Sequence, residues 1–256
     1  MNPEQSILDD PAISGCYFYP QARHFNAPFI VEANGVSLNC FHQIIDPDGF
    51  TLVHFHGNGE TVSDYLPDLA DIITGRGLNS LFVEYREYGG STGDARLAAM
   101  LGDGEAVLEA AGVAPEKTIA FGRSIGSLYA IELVSTTPNI AGLIIDSGIA
   151  DLVPGFLDGA RLASEGIDEA EVHAEFKRLF DHEQKLARYQ GPLLVLHTEN
   201  DGLLDISNAE RLLEWAGGNQ KRLVRFPVGN HNSIMASNMI EYFEEVDKFL
   251  RLVREV

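Results

Sequence analysis

Apolar positions along the chain gather into eight short runs, at residues 29–33, 36–45, 51–55, 80–85, 117–121, 141–146, 193–197 and 222–226. Runs of this length bounded by Gly, Pro, Asn and Asp predict strands. Asn34-Gly35 joins the first two, and a type I′ turn needs two residues at positive φ, so the chain is expected to open with an antiparallel hairpin. From residue 51 onward each run is followed by helical spacing, as at 65–74, 97–111 and 127–135. That alternation predicts right-handed crossovers onto a mostly parallel sheet, covered by helices on both faces. A last helix over about 233–253 presents Ile240, Phe243, Val246, Phe249, Leu250 and Val253 as one core-facing stripe.

The interval between Asp146 and Leu193 breaks the rhythm. Phe156-Leu157 and Leu162, then Val172, Phe176, Leu179 and Phe180, recur at helical spacing. An insertion there leaves the carboxyl end of a strand, where α/β sheets bind ligands. Residues 148–190 are therefore expected to form a small helical lid, the alternative being packing on the sheet edge. No composition break divides the chain, so residues 1–256 are expected to form a single domain.

Composition narrows the function classes. Lys and Arg total 18 against 38 Asp and Glu, a formal charge of −20. Such a chain repels phosphate backbones and anionic lipid surfaces, so no nucleic acid is expected as a partner. No apolar run approaches the roughly 20 residues needed to span a bilayer. The start, Met1-Asn2-Pro3-Glu4-Gln5, lacks the basic and apolar parts of a signal peptide, and a cytoplasmic location is expected. Cys16 and Cys40 lie outside any Cys-x-x-Cys spacing and are expected to be free thiols.

Candidate chemistry begins at Gly122-Arg123-Ser124-Ile125-Gly126, between the apolar run 118–121 and a helical pattern that starts near Leu128. A serine hydroxyl is a weak nucleophile at neutral pH, and a sharp strand-to-helix turn exposes it to a base. Gly89-Gly90-Ser91-Thr92-Gly93 also fits Gly-x-Ser-x-Gly, but it follows the polar stretch 84–88 and runs into Asp94, so Ser91 is read as a turn residue with Asp94 capping the next helix. The expected base is His231, in the loop after the last strand. The expected acid is Asp201, in the loop after the preceding strand, with Glu199, Asp205 and Asp146 as alternatives. Both loops leave the edge of the sheet that carries Ser124, and the order Ser, Asp, His is the one this architecture uses. Serine attack places negative charge on the substrate oxygen, which calls for preorganised N–H donors. Ile125 and, in His56-Gly57-Asn58-Gly59-Glu60, Asn58 are the expected pair. His54 and His56 at alternate positions could begin a zinc site, but Gly57-Asn58-Gly59 stands where further ligands would be needed, so no metal or cofactor is expected.

With these residues placed, the chain resembles the α/β-hydrolase superfamily over roughly residues 28–253. His56-Gly57-Asn58, residues 85–93 and residues 180–186 look like the small serine hydrolases that include depalmitoylase-like proteins and bacterial relatives. The resemblance implies an α/β-hydrolase fold with an eight-stranded, mostly parallel sheet, and hydrolysis of a carboxylic ester, thioester or amide in a small acyl substrate. Peptidases and acyltransferases share the constellation. Departures are Glu87 where a glycine is usual, Ser127 where the elbow usually has another glycine, and Leu204-Asp205 in place of Val-Pro. No amino-terminal cysteine cluster is present for lipid attachment, so no stable membrane anchoring is expected. The alternative class is a non-catalytic binding or interaction protein on the same fold.

Overall fold

A computed structural model describes residues 6–137, 139–152 and 159–255. All eight runs become strands of one sheet: β1 (Phe29–Ala33), β2 (Val36–Gln43), β3 (Thr51–Phe55), β4 (Asn79–Val83), β5 (Thr118–Arg123), β6 (Gly142–Asp146), β7 (Leu193–Thr198) and β8 (Lys221–Phe226). Their order is β1-β2-β4-β3-β5-β6-β7-β8. β1, β2 and β4 pair antiparallel, and every pairing from β4 through β8 is parallel. The opening turn has Asn34 at φ 50° and Gly35 at φ 82°, as the hairpin requires. β2 stops at Gln43 rather than at residue 45, because the Asn79 side chain takes the N–H groups of Ile45 and Asp46 and bends the chain away.

The helices are α1 (Pro11–Ser14), α2 (Asp68–Thr74), α3 (Asp103–Ala111), α4 (Gly126–Thr136), α5 (Gly159–Ser164), α6 (Glu169–Leu179), α7 (His182–Arg188), α8 (Ser207–Trp215), α9 (Ile234–Ser237) and α10 (Met239–Glu255). The central strands are buried on both faces, so their side chains alternate between two cores. Val53, Ala120, Ile145 and Val195 face α3, α4, α7 and α8. Leu52, Ile119, Phe121, Ile144 and Leu194 face α2 and α10. Continuous apolar runs, rather than alternating ones, are what such strands require.

Four expectations about the helices are corrected. The helix expected from residue 97 begins at Asp103; residues 97–102 form successive turns, with the Met100 N–H on the Arg96 carbonyl and the Leu101 N–H on the Ala98 carbonyl, while the N–H groups of Leu97, Ala98 and Ala99 are held by Ser14 and Asp9 of the amino-terminal segment. Asp94 pairs with Arg96 and does not cap that helix. In α10, Ile240 is 80% exposed, and Tyr242 is turned inward instead, with its ring 5.9 Å from that of Phe226 and its hydroxyl donated to Asp146. The last helix is also divided at Asn238, whose amide donates to the carbonyls of Val228 and Ile234.

Of the residues expected in the lid, Phe156 and Leu157 lie outside the described residues. Leu162, Val172, Phe176 and Phe180 are buried, and Leu179 partly so. The Phe176 ring lies 5.9 Å from that of Tyr17, and α7 packs on α4 and α8.

His182, at the start of α7, fastens this segment to the loop after β6 by donating from Nδ1 to the carbonyls of Ile149 and Ala150. Burial, assisted by Lys185, pushes its pKa down to about 4. An unfolded imidazole titrates near pH 6.5. Between those values the unfolded chain binds a proton that the folded chain refuses, so stability falls as the pH drops through that window. Denaturant unfolding at about pH 7 and about pH 5 should show wild type losing about 2 kcal/mol more than His182→Asn, which keeps a donor but cannot titrate. Equal losses in the two proteins would refute this assignment.

Candidate active site

β5 runs directly into α4, and the turn between them holds Ser124 at φ 51°. That left-handed conformation costs a non-glycine residue energy and persists only where its surroundings hold it. Here the Ser124 N–H donates to the Asp146 carbonyl at 2.9 Å, and the Ser127 hydroxyl donates to the Ser124 carbonyl at 2.7 Å. The flanking glycines are required by close approach. A Cβ on Gly122 would stand 2.6 Å from the Ser127 Cα, and one on Gly126 would stand 2.1 Å from the Phe55 carbonyl oxygen. The turn is thus pressed against the end of β3. Ser127, the departure from the usual glycine, also accepts the Ile149 N–H at 3.0 Å, joining the turn to the loop after β6.

His231 and Asp201 reach Ser124 from the loops after β8 and β7. His231 Nε2 lies 2.8 Å from Ser124 Oγ, and His231 Nδ1 lies 2.7 Å from Asp201 Oδ2. The Asp201 side chain is fully buried and that of His231 is 8% exposed. Burial, the largest single influence, opposes ionisation of Asp201. The hydrogen bond from His231 and the N–H groups of Leu204 and Leu203 together outweigh it and hold the carboxyl below its ordinary value. An ionised Asp201 accepts only, so the proton between the two resides on Nδ1, and the Nε2 lone pair faces the Ser124 hydroxyl. The turn that carries those N–H donors is closed by His197, whose Nε2 donates to the Leu204 carbonyl at 2.8 Å.

The alternative acids are occupied elsewhere. Asp205 is exposed and accepts the Ser207 N–H, and Glu199 is exposed. Asp146 is buried beneath the turn, where it accepts the hydroxyls of Tyr242 and Ser147. Ser91 accepts the N–H of Asn39 on β2 at 3.0 Å, so its hydroxyl fastens the loop to that strand.

Ile125 and Asn58 lie on the two segments that the Gly126 contact brings together. Among the described residues, neither backbone N–H has an acceptor. The Asn58 side chain is committed: Nδ2 donates to the Tyr17 carbonyl at 2.7 Å, while Oδ1 accepts the Tyr19 N–H at 2.9 Å and the Tyr88 hydroxyl at 2.8 Å. Only its main-chain donor remains. Sequence reasoning missed this strap of residues 17–19, because its contribution comes from backbone atoms that no side-chain motif marks.

His54 and His56 diverge in use. His54 is buried among Tyr65, Phe82 and Phe121, and burial holds its pKa well below the ordinary value. His56 spans the Gly57 carbonyl and Glu84 Oε1, each at 2.8 Å, and so supports the loop carrying Asn58. Tyr85 donates to the His56 carbonyl, Arg86 makes a buried two-point pair with Asp103, and Glu87 accepts the Ala95 N–H. The stretch 85–87 is structural.

No protein-family model matches the chain. Protein bem46 of Schizosaccharomyces pombe is 27% identical over 78% of this chain and 67% of its own length. The α/β hydrolase domain-containing protein aho-3 of Caenorhabditis elegans is 27% identical over 64% of this chain and 47% of its own, so the chain spans only about half of that relative. Among solved structures, the Pyrococcus furiosus esterase Pf2001 superposes with a TM-score of 0.71 at 18% identity, over 91% of this chain and 98% of that one. The strand order, the turn at Ser124 and these likenesses agree: the chain has the α/β-hydrolase fold, and its sequence is similar to α/β hydrolase domain proteins.

Proposed function

We propose that this chain is a serine hydrolase that cleaves a carboxylic ester or thioester of a small acyl substrate through Ser124, His231 and Asp201. The observation that carries the proposal is the unbroken line of short hydrogen bonds from Asp201 through His231 to Ser124. His231 Nε2 accepts the Ser124 proton as Oγ bonds to the acyl carbon, and the resulting imidazolium is stabilised by Asp201. The N–H groups of Ile125 and Asn58 receive the developing oxyanion. Collapse of the adduct breaks the bond to the alcohol or thiol, which leaves with the proton held by His231. Water, deprotonated by the same nitrogen, then releases the acid and restores Ser124. The Pyrococcus furiosus neighbour is itself described as an esterase, which agrees with this chemistry.

Residues 148–190 are proposed to act as a small lid inserted within one domain. Support comes from α6, which packs on the amino-terminal segment through Phe176 and Tyr17, two residues from the Tyr19 N–H that holds Asn58. Among the described residues no helix is long and apolar enough to cross a membrane. A water-borne acyl substrate met in the cytoplasm fits that description.

A fluorophosphonate probe should label wild type, with labelling lost in Ser124→Ala and His231→Ala and kept in Ser91→Ala. Turnover of a p-nitrophenyl ester should fall by about 10³- to 10⁶-fold in Ser124→Ala. An unlabelled wild type would favour a binding protein on the same fold.

The pH dependence follows from the two partners of His231. Asp201, held below the ordinary carboxylate range, keeps its charge to lower pH than an unperturbed carboxyl would, and the base works only while Nε2 is free of a proton. Activity should rise with pH along a limb of one proton, and kcat/KM profiles measure that slope. A steeper limb would show that Asp201 titrates in the same range and would contradict the assignment.

A further inference from the structure

Arg123 immediately precedes Ser124, yet its side chain turns away from the nucleophile and is 10% exposed. Its guanidinium meets Glu60 through Nη1 at 2.5 Å. Through Nη2 it donates to the main-chain carbonyl of His231 at 3.1 Å and to Asn232 Oδ1 at 3.4 Å. The other oxygen of Glu60 accepts the Gly57 N–H at 2.7 Å and the Tyr65 hydroxyl. Gly57 is the residue before Asn58. A Cβ there would stand 2.3 Å from Arg123 Nη1 and 2.7 Å from Glu60 Oε2, so the absence of a side chain is what lets the pair pass. One ion pair therefore touches the loop that carries Ser124, the loop that carries His231 and the loop that carries Asn58.

Stability alone accounts poorly for such a pair. Withdrawing charge from water is costly, and a pair as far removed from solvent as this one, with Glu60 25% exposed, is often no more stabilising than apolar residues of the same size. Its geometry is specific instead. The planar guanidinium presents several donors in a fixed fork, so it can hold two acceptors from different loops at a set separation, which a flexible ammonium does poorly. Catalysis depends on that separation, since displacement of a reacting group by about 1 Å can cost about 100-fold in rate.

We propose that Glu60 and Arg123 are positioning residues that hold His231 and the Asn58 donor in register with Ser124. The proposal rests on the serine-hydrolase reading above. Neither side chain touches the reacting atoms; both act through the backbone of the residues that do.

The test uses the full chain with p-nitrophenyl acetate as substrate and a fluorophosphonate as probe. Arg123→Ala should lower kcat and the labelling rate by about 10- to 100-fold, with KM within about threefold of wild type. Low, non-denaturing guanidinium should restore both in a saturable manner, and sodium chloride at the same ionic strength should not. Arg123→Lys should recover only part of the loss. A folded Arg123→Ala that is labelled at the wild-type rate, a loss confined to KM, or a loss that guanidinium does not relieve would overturn the proposal. If Arg123→Ala does not fold, Glu60→Gln decides the matter. It keeps an acceptor for Gly57 but removes the charge, so a slower kcat at unchanged KM supports the proposal and a wild-type rate sinks it. Failure of the underlying reading is distinguishable, because wild type itself would then escape labelling at Ser124.

Discussion

The structure depends on one backbone constraint, the left-handed conformation of Ser124 at the junction of β5 and α4. A serine there would relax to an ordinary conformation unless its neighbours prevented it. Three neighbours do so. The Asp146 carbonyl takes its N–H, the Ser127 hydroxyl takes its carbonyl, and Gly126 lies so close to the Phe55 carbonyl that no side chain could enter. Because those partners sit at the ends of β6, α4 and β3, the turn cannot move without moving the sheet. The half-buried hydroxyl is thereby fixed at the edge from which the loops of His231 and Asp201 depart.

That edge is also where charge must be buried without penalty. Asp201 illustrates the balance: desolvation works against its negative charge, and the His231 ring with two backbone N–H groups more than offsets it. Asp146 lies only one strand away but ends in the opposite state. Its carboxyl is fully buried, with burial the leading influence, and the nearby Arg123 and two hydroxyl donors do not compensate, so its pKa is raised. Two aspartates at the ends of adjacent strands thus differ in readiness to carry charge, and only the one with the depressed pKa faces the imidazole. Position alone does not separate them; the number and aim of their donors does.

Much of this was legible in the sequence because it depends on local chemistry. Asn34-Gly35 announces its hairpin, the apolar runs announce buried parallel strands, and the glycines around Ser124 announce a turn that only small residues can close. The pairing of Ser124, His231 and Asp201 was legible from loop order, since parallel strands deliver all three to one edge. What was hidden depends on partners distant in sequence. The apolar spacing from residue 97 belongs to a run of turns anchored to Asp9 and Ser14, far upstream, and not to α3. The stripe on α10 was misassigned at its first turn because the Tyr242 hydroxyl finds an acceptor in Asp146, and apolar periodicity carries no information about a buried carboxylate. The strap over Asn58 was invisible because it works through the main chain of Tyr17 and Tyr19.

These hidden contacts share a physical cause. A parallel sheet fixes where its strands end but says little about the loops beyond them, which leave the ladder of hydrogen bonds and must be held by something else. In this chain they are held to one another. Asn58 is clasped by the amino-terminal strap and Tyr88, His56 ties the same loop to Glu84, and His197 closes the turn that presents donors to Asp201. The tethers are polar, that between His56 and Glu84 is buried and those of Tyr88 and His197 are partly so, and contacts of this kind are favourable only while their partners are in place. A polar network of this kind behaves less like a set of independent contacts than like a single arrangement that is either complete or costly. Such cooperativity suits a site whose groups must meet within fractions of an ångström, because partial displacements are penalised before they grow large enough to separate Ser124 from His231.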